Sequence, residues 1–388
     1  MTLLFSRPPP AGGPASHAFV IGVGGYPHAK AGAGHLPDLV AGDIPSAADS
    51  AKFFCDWLLA NRDRLVAPLA SLEVLISDTA AGADRYVWNP AQPVDPATAV
   101  NVRQAGAAWL DASRVRAGDT LIFYACGHGA NLSSEPTLFL GDLNEDSANP
   151  WSFVNIQSLG RALRKTAQIE CAYLFVDACG ETIPGFSLAG SQDTRFWPAA
   201  AFTASEAWKV MLLCATPSGV LAHDGAMPGS AVRLGRFTQT LVKALDGALV
   251  GEWDGRWAVD SGSLGNQLKD LREFYFPGWS DYPFEPGALL PFNQVRYFVV
   301  PENPLVPVRT RVIPGEALAG HALCMAEVPP PPIPGHSPAP FDMVAKVWRP
   351  ELPPSTTPRY AVVHKDGVWH IQHFTPNKPH FDLKVTIS

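Results

Sequence analysis

Two short apolar runs, residues 121–124 (LIFY) and 173–176 (YLFV), constrain this 388-residue chain more than any other feature. Each is too short for an ordinary helix and rich in aromatic or branched residues, so each predicts a buried strand of a parallel sheet. Each leads into a reactive side chain. The first continues through Cys126 and Gly127 to His128 and Gly129; the second continues through Asp177 to Cys179 and Gly180. In open α/β sheets the ligand crevice lies beyond the carboxyl ends of the strands. A His and a Cys at two such ends can therefore face each other although the sequence separates them.

A thiol is a poor nucleophile until it ionises, and a nearby imidazole lowers its pKa or takes its proton during attack. Glycines at the same points let a substrate backbone approach closely. The backbone N–H groups of Gly129 and Cys179 are then placed to form an oxyanion hole. Positions 177 and 179 point to the same side of an extended strand, which sets the Asp177 carboxylate beside the nucleophile. The plainer reading of Asp177 is a turn former or helix cap.

The rest of the chain alternates. Strands are expected at 18–23, 72–76 and 210–215, and at 295–300 as the last core strand. Helices are expected at 46–61, 97–113, 154–165 and 235–248, with a short hairpin arm at 137–140. This order predicts an α/β fold with a mostly parallel central sheet of about six strands and helices on both faces. Residues 1–16 read as a flexible N-terminal arm and 301–342 as a Pro-rich linker region. Residues 343–388 read as a small β-rich C-terminal appendage turning at Asp366 and Gly367.

Twenty-nine basic against 36 acidic residues leave a net charge of −7, which gives no electrostatic case for nucleic acid. The N-terminus shows no secretory pattern, and no apolar run approaches the length of a membrane span. Six scattered cysteines without a paired framework point to a reducing, cytoplasmic setting. Gly22, Gly24 and Gly25 do not make a dinucleotide-binding fingerprint. Cys126, His128, Cys171 and Cys179 include the right elements for zinc. Cys171 and Cys179, however, lie eight positions apart on one strand. At about 3.3 Å per residue that is too far to share a metal, and none is assigned. A redox disulfide between Cys126 and Cys179 is a further, inhibitory alternative.

At FYACGHG and FVDAC the chain resembles the caspase-like cysteine peptidases: caspases, metacaspases and their bacterial relatives. His precedes Cys by about fifty residues, as it does in caspases. Cys126 stands where Ser is usual, and the resemblance spans residues 17–300. It implies a three-layer caspase-like domain and a Cys/His dyad of Cys179 and His128, with Gly129 at the oxyanion hole. Metacaspases carry Asp at the position of Asp177, where caspases carry Gln. Laid over CATPSGVLAHD without gaps, the caspase arginine that binds a substrate aspartate falls on Asp224. Two acids in that place imply a pocket for Arg, or Lys, before the cut. Asp38 or Asp43 would add a third acid.

The resemblance also implies a zymogen. Residues 182–208 would be its activation loop, with Arg195 and Lys209 as the basic residues available for processing. Its partners would be protein substrates and an activating protease or regulatory protein, in bacterial cell death or defence. Some relatives need calcium, and Asp142, Glu145 and Asp146 are the acids at hand; no cofactor is assigned. Three alternatives stay open: an inactive scaffold, a protease cleaving after Asp, and a zinc-dependent hydrolase.

Overall fold

The computed structural model describes all residues except 1–2, 31–32, 37–40, 80–85, 89–91, 112, 167–168, 182, 184–185, 187–192, 197–208, 228, 280–285, 316–321, 327–340, 343–346, 367 and 388. The chain divides into two compact units, one of residues 1–242 with 282–296 and one of 243–281 with 297–388.

The first unit follows the alternation of its apolar runs. Its elements are β1 (Leu3–Ser6), β2 (Ser16–Val23), α1 (Pro45–Ala60), β3 (Leu69–Ser77), α2 (Ala99–Trp109) and β4 (Asp119–Gly127). There follow β5 (Gly129–Leu132), β6 (Glu135–Phe139), β7 (Phe153–Asn155), α3 (Ile156–Lys165), β8 (Ile169–Ala178) and β9 (Val210–Cys214). The last are β10 (Asp224–Ala226), β11 (Arg233–Gly235), α4 (Arg236–Lys243) and β12 (Gly287–Leu290). The sheet runs β1-β3-β2-β4-β8-β9-β12, with β3 to β9 parallel and the two edge strands antiparallel.

Every described position of β2 and β3 is buried, which is what near-continuous apolar strands of a sheet covered on both faces require. Side chains alternate between those faces. Phe19 and Phe123 lie on one, their rings 5.8 Å apart, and Trp109 of α2 packs on Phe19 at 5.9 Å. Tyr124 lies on the other, stacked at 4.5 Å on Phe54 of α1 and bonded through its hydroxyl to Thr238 of α4. Helices therefore cover both faces. Each fully buried Phe or Leu contributes about 1.5–3 kcal/mol, which anchors the central strands in the core.

Local chemistry sets the helix ends. Pro45 opens α1 at a position where its missing N–H is harmless. Thr98 caps α2 and Asn155 caps α3 by accepting from Asn101 and Ser158 amides. Both helices start two residues later than their apolar spacing alone predicts: Thr98 becomes the cap of α2, and Val154 is drawn into strand β7 ahead of α3. Helix α1 packs so closely on β2 that a Cβ at Gly22 would lie 2.5 Å from that of Ala51.

Three expectations are corrected. Residues 3–6 are not a loose arm but pair with β3, and Arg7 bonds Leu69 O at 2.7 Å. The last strand of the central sheet is not residues 295–300 but the edge strand β12; residues 297–299 pair instead with Arg256–Asp260 in the second unit. Short apolar runs do not say which sheet they join. Residues 306–313 of the supposed linker form a strand, paired in parallel with His380–Thr386. The Pro-rich stretch 327–340 lies outside the described residues.

The second unit holds a helix, Ser261–Tyr275, whose first turn is capped by Asp260 through Ser263 N at 2.9 Å. Buried Arg309 of the 306–313 strand pairs with Glu273 of that helix at 3.1 Å. Strands Arg359–Lys365 and Val368–Phe374 form the expected hairpin, with Lys365 opposite Val368 and Asp366 at φ 49° in the turn.

Candidate active site

Strands β4 and β8 are neighbours in register. Asp177 is paired with Cys126 and Ala178 with Gly127, so the next residues along are Cys179 and His128. Neighbouring strands lie about 4.8 Å apart. The thiol and the imidazole thus emerge side by side at the carboxyl edge of the sheet. They line one open cleft of about 310 Å³ together with Asp177, Glu181, Leu221 and Asp224.

His128 is held at two points. Its backbone N–H donates to the Tyr26 hydroxyl at 2.8 Å, and the two rings lie 4.9 Å apart. Nε2 is 2.7 Å from the carbonyl oxygen of Gly42. A carbonyl only accepts, so Nε2 carries the proton of the neutral ring and Nδ1 keeps the lone pair. Nδ1 is the basic nitrogen.

Cys179 Sγ accepts from Ala222 N at 3.3 Å. Burial pushes its pKa up to about 11; the Ala222 N–H opposes this, and the Glu181 and Asp177 charges add to it. The resting thiol is therefore protonated at neutral pH. Among the described residues no hydrogen bond joins Sγ to His128.

Strand β5 returns past Cys179. A Cβ on Gly129 would sit 2.6 Å from Thr137 O and 2.8 Å from Cys179 O, so glycine alone fits the close passage. Asn131 fastens the chain beyond Cys179, donating from Nδ2 to Gly180 O at 2.6 Å and from its backbone amide to Glu181 O at 2.7 Å. The turn after Cys179 is fixed from both sides.

Both acids of the expected pocket reach the cleft, and both already hold partners. Asp177 is 4% exposed, and its Oδ2 accepts from Thr238 N at 3.1 Å and Thr238 Oγ1 at 2.6 Å. Burial pushes its pKa up to about 6 against those bonds, and the Asp224 charge adds to the rise. Asp224 meets Arg233 through two bonds, Oδ1 to Nη2 at 2.6 Å and Oδ2 to Nε at 3.3 Å. Burial works against the Asp224 carboxylate, but bonds from Arg233 and Ser46 with the Arg233 and Arg236 charges hold its pKa below the usual value.

The remaining candidates are placed as follows. Asp43 accepts from Tyr26 N at 3.0 Å and pairs with Lys30 at 2.9 Å, which makes it a clamp of the loop carrying Gly42. Asp38 lies outside the described residues, as does most of the expected activation loop. Within that loop Arg195 pairs with Asp193 at 3.2 Å. Lys209 is anchored on the carbonyls of Thr166 and Ile169.

Cys126 faces Asp177 in register. A bridge to Cys179 would have to span a diagonal of two residues and one strand, about 8 Å between Cα atoms, beyond disulfide reach. Cys126 and Cys179 are free thiols out of reach of one another. The acids considered for calcium are committed elsewhere. Asp142 accepts from Ala99 N and Ser152, Asp146 from Ala148 N, and Glu145 lies 3.7 Å from His28. Among the described residues no group of three or more His, Cys, Asp or Glu is placed to hold a metal. No helix among them is long and apolar enough to cross a membrane.

Sequence reasoning missed four participants: Tyr26, Gly42, Thr238 and Arg233. Tyr26 sits in the Gly24-Gly25-Tyr26-Pro27 turn, which reads only as a failed nucleotide loop. Thr238 lies in the GRFT run, which reads as the start of a helix and does not by itself point to Asp177. Gly42 acts through its carbonyl and leaves no side-chain signal.

No protein-family model matches the chain. It is similar to an uncharacterized protein of Sinorhizobium fredii, y4kE, with 27% identity over 254 residues, covering 57% of this chain and 67% of that relative.

Proposed function

We propose that this chain is a cysteine endopeptidase of the caspase-like type. The observation that carries the reading is the pairing of β4 with β8, which sets His128 beside Cys179 at the edge of the sheet. The tautomer fixed by Gly42 supports it, because it leaves Nδ1 free to act as a base.

In this mechanism Cys179 Sγ attacks the scissile carbonyl carbon while His128 Nδ1 takes the thiol proton. The carbonyl oxygen becomes an oxyanion that the N–H groups of Gly129 and Cys179 stabilise. The C–N bond then breaks, and the imidazolium gives its proton to the departing amine. Water, deprotonated by His128, attacks the thioester and releases the acid and the thiol. Asp177 and Asp224 select a basic side chain, Arg or Lys, before the cut. From the resemblance alone we place the enzyme in regulated bacterial proteolysis connected with cell death or defence, released from latency by a partner or a cut.

Arg233 and Arg236 beside Asp224 favour a second reading, cleavage after Asp. A panel of fluorogenic peptides with Arg, Lys or Asp before the reporter decides between them, with Cys179→Ala as control. Preferred turnover of the Asp peptide overturns the basic specificity. No turnover of any peptide, with no labelling of Cys179 by an arginine chloromethylketone, overturns the enzyme in favour of a binding scaffold.

A further inference from the structure

Asp224 is already engaged. Both of its carboxylate oxygens are taken by Arg233, Nη2 at 2.6 Å and Nε at 3.3 Å. This two-toothed arrangement is the one by which a substrate arginine would be recognised. The residue that supplies it comes from the chain itself. The hairpin of β10 and β11 pairs Asp224 with Gly235 and Ala226 with Arg233, which brings the arginine back over the acid. The neighbouring Arg236 is spent differently, its Nε donating to the Asp224 backbone carbonyl at 3.1 Å. Asp177 offers no substitute fork, since Thr238 binds it twice and it is buried.

We propose that Arg233 is a specificity-determining internal competitor: it fills the Asp224 fork in the resting protein, and a basic substrate side chain must displace it to bind. This rests on the reading of the cleft as a peptidase site for basic residues. The side chains of Arg233 and Asp224 are 58% and 34% exposed. An ion pair so exposed is weak, so displacement is easy and the competition modest. Removing Arg233 lowers KM for a basic substrate by about two- to five-fold. It also sharpens the contrast between basic and neutral substrates, because a carboxylate released from its partner prefers a cation.

The test is steady-state kinetics on an arginine-ending fluorogenic peptide for the wild type, Arg233→Gln and Arg233→Lys. The expected result is a lower KM for Arg233→Gln, with Arg233→Lys between it and the wild type, since a lysine keeps the charge without the fork. A KM that is unchanged or raised in Arg233→Gln overturns the proposal. So does loss of Asp-peptide turnover in that variant, which would make Arg233 a substrate-binding cation. A second measurement does not need catalysis: benzamidine binding to Cys179→Ala, with and without Arg233→Gln, by calorimetry. Tighter binding with Arg233→Gln supports the competitor even if no peptide is cleaved; equal or weaker binding overturns it.

Discussion

Nε2 of His128 donates to the carbonyl oxygen of Gly42 at 2.7 Å, and this bond decides which edge of the ring is basic. At pH 8 the neutral ring should carry its proton on Nε2 and not on Nδ1. Nitrogen-15 chemical shifts of labelled histidine, assigned by comparison with His128→Ala, check this directly. Gly42→Ala should leave the tautomer unchanged, because the carbonyl stays and nothing lies within 4 Å of the added Cβ.

Cys179 should be slow to alkylate at neutral pH. Burial pushes its pKa up to about 11, so iodoacetamide labelling of this residue should keep rising with pH well past the range of an ordinary thiol. Glu181 contributes to the rise through its charge. Glu181→Gln should therefore increase the labelling rate at pH 8, by about two- to five-fold if the pKa falls by a few tenths of a unit. Mass spectrometry of the Cys179 peptide over a pH series reads both effects. A plateau below pH 8 would mean that the thiol is already ionised by a partner.

The strands, and the placing of His128 and Cys179 at adjacent strand ends, were legible because they rest on local signals. Residues 121–124 and 173–176 could only be buried strands, and strand ends are where a parallel sheet presents side chains. The site's supports were not legible, because they depend on contacts across long sequence separations. Asp177 to Thr238 spans 61 residues, and His128 to Gly42 spans 86 and ends on a backbone atom. The partners of the two acids escaped for the same reason: both read as free charges, while the fold supplies Thr238 to one and Arg233 to the other. The edge strand Gly287–Leu290 was lost because GALL carries no branched or aromatic side chain beyond two leucines.

Asp177 should make stability fall with rising pH. Its folded pKa is about 6, above the usual 3.8, so the folded state holds a proton that the unfolded state has lost between those values. Unfolding free energy therefore declines as pH rises from about 4 to about 6 and stays lowered above it. A shift of this size corresponds to roughly 2–3 kcal/mol at most. Asp177→Asn keeps an acceptor for Thr238 without the buried charge. The variant should gain stability relative to the wild type at pH 8 and lose that advantage near pH 4. Urea melts at the two pH values measure the difference. Under the proposed function the same variant weakens selection of basic substrates, so stability and specificity move in opposite directions.

Gly129→Ala should damage both folding and turnover. The new Cβ would meet two backbone oxygens, Thr137 O at 2.6 Å and Cys179 O at 2.8 Å, and neither can rotate away as a side chain would. Relief requires β5 to move from β6 or from the segment after β8. Overpacking of this kind costs about 1–3 kcal/mol, read as a lower urea midpoint. The movement also shifts the two N–H groups assigned to the oxyanion. Since a displacement of about 1 Å at a reacting centre costs on the order of a hundred-fold in rate, kcat should fall far more than the loss of folded protein explains. Measuring kcat per folded molecule separates the two effects. A variant that is destabilised yet fully active once folded would place the oxyanion donors somewhere other than Gly129.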